Sequence, residues 1–439
     1  MKIKTGLIII LILLGLALLT RFFYFNFPPE VVFDEVHFGS FIRSYFTHEN
    51  YFDIHPPLGK LIIAGFAKIS RANLSEDGFK NIGHEYNKKD LFAMRFLPAL
   101  MSVLFVLIIY FLTLKLTGAK TAAFVAAFMV LFDNALIVHS RFVLLDIFLL
   151  SFGFLAFYFL LAQEEKSFDK LRIRKWLFII LSGLFLGMCY SIKWTGLSAV
   201  LLCGLIMIYQ LYKNKKCKEF FIKTAAVFGL SLLVYILIFA IHFQLLNKSG
   251  YGDNYLSPEF KNKNFIGKLI ETNEKMYQYN AGISSEHPFA SAWKQWPFGE
   301  KAIFYWMKST DNPNKNLDIW LKGHTAIWWL SIFAVLISAL IFFSKIILKN
   351  TKNFNFPVLI FLTAGWLVNF LPFVFINRPL FLYSYFTALV FSIILFAYLF
   401  TFFLNQFKLS PKNKKIIIAV LCALIVLAYL TNFNITYGL

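Results

Sequence analysis

Acidic residues are scarce in this chain. Its 439 residues hold 23 Asp and Glu against 43 Lys and Arg, and 15% of positions are charged. A soluble domain of this length with so few charges could not hide the 59% of residues that are hydrophobic. Cysteine is also rare. Cys189, Cys203, Cys217 and Cys422 lie in or beside apolar runs and no pair has metal-ligand spacing, so neither disulfides nor a zinc site is expected. No internal repeat or low-complexity tract is visible, and no appended soluble domain is expected. The formal charge of +20 forms no single basic domain, which argues against nucleic acid as a partner. The lysines and arginines are scattered over short loops. That pattern fits positive-inside topology and contact with anionic membrane lipids.

Long apolar runs dominate what is present. Candidate spans are roughly 6–27, 91–115, 121–139, 143–163, 176–192, 195–212, 224–246, 324–344, 356–376, 380–404 and 416–433, about eleven in all. The expected fold is an all-α integral membrane protein, a single polytopic domain over 1–439. Residues 1–20 carry Lys2 and Lys4 and no small-x-small cleavage site, so the first span is read as uncleaved. Alternate loops are basic: Lys2/Lys4, Lys115/Lys120, KLRIRK at 170–175, KNKKCK at 213–218, Lys345/Lys349/Lys352, and Lys408 with 412–415. Those loops are expected in the cytoplasm. The two long loops, 28–90 and 247–323, then fall together on the extracytoplasmic side. They carry amphipathic stretches, 58–69 and 300–307, that read as interfacial helices. Sequons occur at Asn73, Asn247 and Asn434.

The polar residues that topology does not explain gather at that outer side. Asp34 and Glu35 form a carboxylate pair, and Asp34 has dense aromatic neighbours in Phe33, Phe38 and Tyr45, which can limit water access. His37 follows, then HPPLGK with His55 and Lys60, both expected among the groups that bind the donor's phosphate or sugar. Arg95, Arg141, Lys193 and Arg378 open outer turns against the orientation bias, which points to an anion site at one membrane depth. Asp146, Trp194 and Tyr383, with Asp133 and Asn134, are expected to support the site. Asp133 and Asn134 lie within the third span, where an ionisable residue is either functional or a helix–helix hydrogen bond. No His spacing supports a metal, so none is expected. A transporter would favour repeated halves and a midplane site; here the charges lie at one face.

The order VVFDEVHFG, HPPLGK, RFLPAL, DNALIVHSRFVLLD and SIKWTGL resembles the protein O-mannosyltransferase family over most of the chain. EHPFASAWKQWP and RPLFLYSYFTAL are similar to two later segments of that family. The resemblance implies the GT-C fold, an outer first loop bearing the acidic pair, and a polyprenyl- or dolichyl-phosphate-mannose donor. It places the catalytic base at Asp34 and an essential arginine at Arg95. The family's late His and Pro are Ser384 and Thr387 here. The 247–323 loop is too short for the three-lobed domain of eukaryotic members, which implies a compact, prokaryotic-type form. The expected activity is inverting transfer of mannose to Ser/Thr hydroxyls of exported proteins, in a multi-pass protein of the cell membrane. The alternative moves a polyprenyl-phosphate-linked sugar to a lipid or cell-wall glycan. The leaving phosphate gains charge, so fixed cations would stabilise it. The acceptor hydroxyl needs one base, so one of Asp34 and Glu35 faces the sugar and the other positions His37, a backbone amide or the acceptor.

Overall fold

The computed structural model describes residues 2–74, 79, 81–164, 172–284, 286–309, 316–348 and 354–439. Lys170, Leu171, Lys349 and Lys352 of the basic loops, and Ser75 of the first sequon, lie outside the described residues. Among the described residues, eight helices are long and apolar enough to cross a membrane, a helix pair bent by 60° passes the same test, and two apolar helices, Gly6–Phe22 and Asp146–Ala162, are shorter. Together they occupy the eleven expected segments. The chain is a multi-pass membrane protein. By its internal contacts it divides into two compact units.

The first unit comprises Met1–Phe23, Ser102–His139 and His287–Leu439. It contains α1 (Lys2–Phe22) and receives the second half of α4 (Lys88–Thr117), a helix that begins in the other unit, after α2 (Glu35–Thr47) and α3 (Leu58–Ile69). α5 (Lys120–Phe132) and α6 (Asn134–Ser140) follow. The expected single span over 121–139 is broken between them. Asp133 takes an extended conformation at ψ 114°, and its carboxylate accepts from the Leu136 amide at 2.9 Å, which starts α6 afresh. Its other oxygen accepts from Trp328 Nε1 at 2.7 Å. The break strands backbone carbonyls in an apolar surrounding, where each needs a donor. Arg21, wholly buried, supplies them: Nη2 donates to Val130 O at 3.0 Å and Nη1 to Leu131 O. Asn134 donates to Thr436 Oγ1 at 2.8 Å. Asp133 and Asn134 therefore make helix-start and helix–helix hydrogen bonds, the second of the two readings that the sequence left open.

Within the second unit, Tyr24–Met101 and Ser140–Glu286, lie α2, α3, the start of α4, α7 (Asp146–Ala162), α8 (Arg172–Tyr190), α9 (Leu197–Asn214), α10 (Cys217–Leu245) and α11 (Phe265–Ala281). The 58–69 stretch is the expected helix α3, with its apolar side on the unit. The 300–307 stretch, in the first unit, is not a helix. It enters β1 (Ile303–Ser309), which pairs antiparallel with β2 (Asn316–Leu321). Its consecutive β-branched and aromatic residues favour a pleated surface. α12 (Thr325–Leu348), α13 (Phe356–Phe370), α14 (Phe386–Gln406), α15 (Pro411–Thr431) and α16 (Phe433–Tyr437) complete the first unit. α14 is its most buried long helix and packs against α5, α12 and α13.

Candidate active site

The acidic pair lies where the chain turns into α2. Phe33 holds a left-handed φ of 46°, a costly conformation for a bulky residue that persists only when its surroundings enforce it. Glu35 does the enforcing. One oxygen accepts from Val32 N at 3.0 Å and Arg95 Nη2 at 2.6 Å; the other accepts from Arg95 Nε at 2.8 Å and Val143 N at 3.0 Å. A carboxylate offers about four acceptor sites, so Glu35, wholly buried, is saturated. Through it the first loop is tied to α4 and to the turn that enters α7.

Asp34 differs in each respect. It occupies the N-cap position of α2, and its backbone carbonyl accepts from Phe38 N at 3.0 Å, yet its side chain makes no capping hydrogen bond. It is half-buried, and His37 one turn later is exposed. Of the adjacent carboxylates, Glu35 thus positions backbone amides, while Asp34 is the one at an accessible surface.

Arg95 is not placed as a phosphate ligand. Its guanidinium is buried at 0% exposure, donates twice to Glu35, and gives further bonds to Pro28 O and Glu30 O at 2.7 Å each. It stacks over Phe142 at 4.7 Å. Lys60 is likewise turned inward. Its ammonium pairs with Asp53, donates to His55 O at 2.9 Å and lies over the rings of Phe41 and Tyr51. Both arginine and lysine are assigned here to holding a carboxylate rather than a donor.

Asp53 is the residue that sequence reasoning passed over. With Lys60, His55, Asn50, Tyr51 and Pro57 it lines a narrow cleft closed on its far side by Phe239, His242 and Met276. The wall is firmly built. Tyr45 Oη bridges Tyr51 Oη and His242 Nδ1 at 2.8 Å each, and the backbone of 248–252 lies across that of 48–52. A Cβ on Gly250 would fall 2.3 Å from Asn50 O, so only glycine permits this crossing. Burial alone would raise the Asp53 carboxyl; the Lys60 ammonium and a hydrogen bond from the His55 backbone outweigh burial and hold it below the ordinary carboxylate range. Burial also pushes the His55 imidazole well down, against Asp53 and with the aid of Lys193 and Lys60, so His55 is neutral at physiological pH. It can exchange hydrogen bonds there without adding a charge.

Lys193, in the turn before α9, pairs with Asp146 at 3.0 and 2.8 Å and keeps about a tenth of its side chain accessible. Both lie within electrostatic reach of His55. Trp194 donates to Tyr235 Oη at 3.1 Å and packs against the Phe52–Phe239–Met276 cluster. Arg141 is buried and donates to Tyr24 O at 2.7 Å. The second unit thus brings Asp53, His55, Lys60, Asp146 and Lys193 together, with Glu35 and Arg95 as a separate knot. Arg378 and Tyr383 belong to the first unit. There Arg378 is half-buried near Tyr383, whose ring stacks on Phe381 at 5.5 Å and lies 5.2 Å from that of His139.

Comparison with known proteins bears on the whole arrangement. The family model described as dolichyl-phosphate-mannose-protein mannosyltransferase matches residues 11–247, and the C-terminal four TMM region of protein-O-mannosyltransferase matches residues 265–439. Dolichyl-phosphate-mannose–protein mannosyltransferase 1 of Candida albicans is 33% identical over 263 residues, which cover 57% of this chain and 29% of that protein. Its namesake in Saccharomyces cerevisiae is 35% identical, covering 53% and 30%. Protein O-mannosyl-transferase 2 of Danio rerio is 31% identical, covering 62% and 37%. The matched region thus spans about a third of each curated relative. Among solved structures, the S. cerevisiae protein O-mannosyltransferase Pmt1-Pmt2 complex bound to the sugar donor superposes with TM-score 0.90 at 19% identity, covering 100% of this chain and 90% of that one. ArnT from Cupriavidus metallidurans bound to undecaprenyl phosphate gives 0.53 at 15% identity, covering 95% and 64%. These likenesses show the fold: all-α, membrane-embedded, of the GT-C type.

Proposed function

Because this chain belongs to the dolichyl-phosphate-mannose-protein mannosyltransferase family, we propose that it moves mannose from a polyprenyl- or dolichyl-phosphate carrier to Ser and Thr hydroxyls of polypeptides. The observation that carries the chemical part of this reading is the division within the acidic pair. Glu35 is saturated by four donors, and Asp34 is half-buried with no capping duty. Asp34 takes the proton of the acceptor hydroxyl as its oxygen attacks the anomeric carbon from behind, and the C–O bond to the phosphate breaks with inversion. Lys193 offsets the charge that the departing phosphate gains. No metal enters this scheme. The reaction faces the extracytoplasmic side of the cell membrane, a placement supported by the lysine bias of the alternate loops.

The test is transfer in sealed, right-side-out vesicles carrying the purified chain and polyprenyl-phosphate-mannose. A membrane-impermeant Ser/Thr peptide outside should gain one hexose, read by mass spectrometry with the anomer assigned by NMR. An unmodified peptide, with mannose passing instead to a lipid or glycan acceptor, would replace this reading with another acceptor class.

Lys193→Gln should weaken donor binding by about 2 kcal/mol, as for a charge-assisted bond in a dry site. The peptide KM should stay unchanged. A raised peptide KM with normal donor affinity would move the phosphate away from Lys193.

A further inference from the structure

The lysine excess is not spread evenly over solvent. Where α8 and α10 begin, Lys175, Trp176, Ile179, Lys216, Lys218 and Ile222 line an open groove, with Glu219 and Lys223 beside it. The two helices run parallel, with Gly183 against Val227 and Gly187 against Ser231. A Cβ on Gly187 would lie 2.5 Å from Ser231 O, and one on Gly183 2.8 Å from Val227 O. Small residues four apart let the two backbones approach this closely. Both N-termini therefore open at one end, side by side, and their positive partial charges act on the same volume.

The side chains reinforce that field. Among the described residues lining the groove, Glu219 is the one carboxylate, facing Lys175, Lys223 at 3.0 Å and Lys216 at 3.8 Å. Lys223 also pairs with Glu164 at 3.1 Å. Lys216 is 70% exposed, and Lys218 is exposed beside it. The floor is apolar: Ile179 is wholly buried and Ile222 is 46% exposed. Trp176 stands at the boundary, the usual depth for an indole in a membrane protein. A bare anion would satisfy the lysines and leave this floor uncovered. A phosphate that carries acyl chains would satisfy both.

The geometry points to a binding site for an anionic glycerophospholipid between the N-terminal ends of α8 and α10. The headgroup phosphate lies against Lys216 and Lys218, and an acyl chain runs along the exposed face of Ile222. Basic grooves between membrane helices recognise anionic headgroups by this combination. The site lies within the second unit but shares no residue with the cleft at Asp53, so its occupancy can be read independently of transfer.

The test uses the purified full chain, delipidated in detergent, with phosphatidylglycerol or phosphatidylcholine added and retained lipid counted by native mass spectrometry. Phosphatidylglycerol should be retained over phosphatidylcholine by about tenfold, and Lys216→Gln with Lys218→Gln should abolish that preference. Lys216→Gln removes only the long pair to Glu219, at 3.8 Å from a side chain 70% exposed, and the pairs of Glu219 with Lys175 and Lys223 remain, so the protein folds. Cys217, exposed between the two lysines, reports occupancy directly. In a Cys422→Ser background its reaction with a neutral maleimide should slow several-fold when phosphatidylglycerol is bound, since Cys189 and Cys203 are buried. Equal retention of the two lipids, or a preference that survives the double substitution, overturns the site. Equal protection of Cys217 by inorganic phosphate alone overturns the lipid and assigns a free anion.

Discussion

Asp34→Asn is expected to give a folded, donor-binding protein whose transfer rate falls about a hundredfold or more, the usual worth of a general base. The substitution removes the capacity to take a proton and keeps the size and shape of the side chain. The start of α2 rests on the Asp34 backbone carbonyl, which Asn retains, and not on a side-chain cap, since none forms. If the residue were a cap instead, Asn would serve about as well and transfer would be near normal. Three measurements separate the cases: thermal unfolding, donor affinity and single-turnover transfer. Unchanged unfolding and affinity with collapsed transfer fit the base. Normal transfer by a folded Asp34→Asn protein excludes it. Suspicion would not then pass to Glu35, whose oxygens are both occupied, but to Asp53 across the second unit. That carboxyl is already held ionised by Lys60 and by a hydrogen bond from the His55 backbone, and Asp53→Asn would become the decisive variant.

How much of this could be read from residues alone depends on the distance over which each feature is decided. The spans were legible because hydropathy over about 20 residues reports the membrane itself. The break at Asp133 was not, because one polar residue in an apolar run looks the same whether it binds a ligand or restarts a helix. Its partners, Arg21 and Trp328, come from distant segments. β1 was misread because Ile303–Trp306 is apolar enough to be an interfacial helix, and only its pairing with β2 decides the matter. The anion-site argument placed Arg95 among the donor ligands because it defied the lysine bias. A cation can defy that bias and still be enclosed, if a carboxylate and two carbonyls await it. Asp53 escaped notice beside the louder His-Pro-Pro run, although Lys60, seven residues on, is a spacing that one turn of α3 brings back to it.

That enclosed knot leads to the second large effect. Breaking a buried ion pair from one side leaves the other charge without a partner, at a cost of about 3–5 kcal/mol. Glu35→Gln keeps the shape but turns an accepting oxygen into an NH2 group that faces Arg95 and a backbone amide, two donors it cannot satisfy. Arg95→Met leaves the Glu35 carboxylate buried with only the amides of Val32 and Val143. Either variant should unfold at markedly lower temperature, and both should lose transfer, because the left-handed Phe33 and with it Asp34 are no longer held. Arg95→Lys should rescue little, since one ammonium cannot span Glu35 and the carbonyls of Pro28 and Glu30. The double variant Glu35→Gln/Arg95→Met should regain part of the stability, because neither charge is then stranded, but not the activity. The non-additivity in such a cycle is the signature of direct coupling. A phosphate ligand predicts the reverse pattern: Arg95→Met would be as stable as the parent, its stability additive with that of Glu35→Gln, and its defect confined to donor affinity. Stability curves and donor titrations on the same four proteins decide between a residue that shapes the catalytic loop and one that touches the substrate.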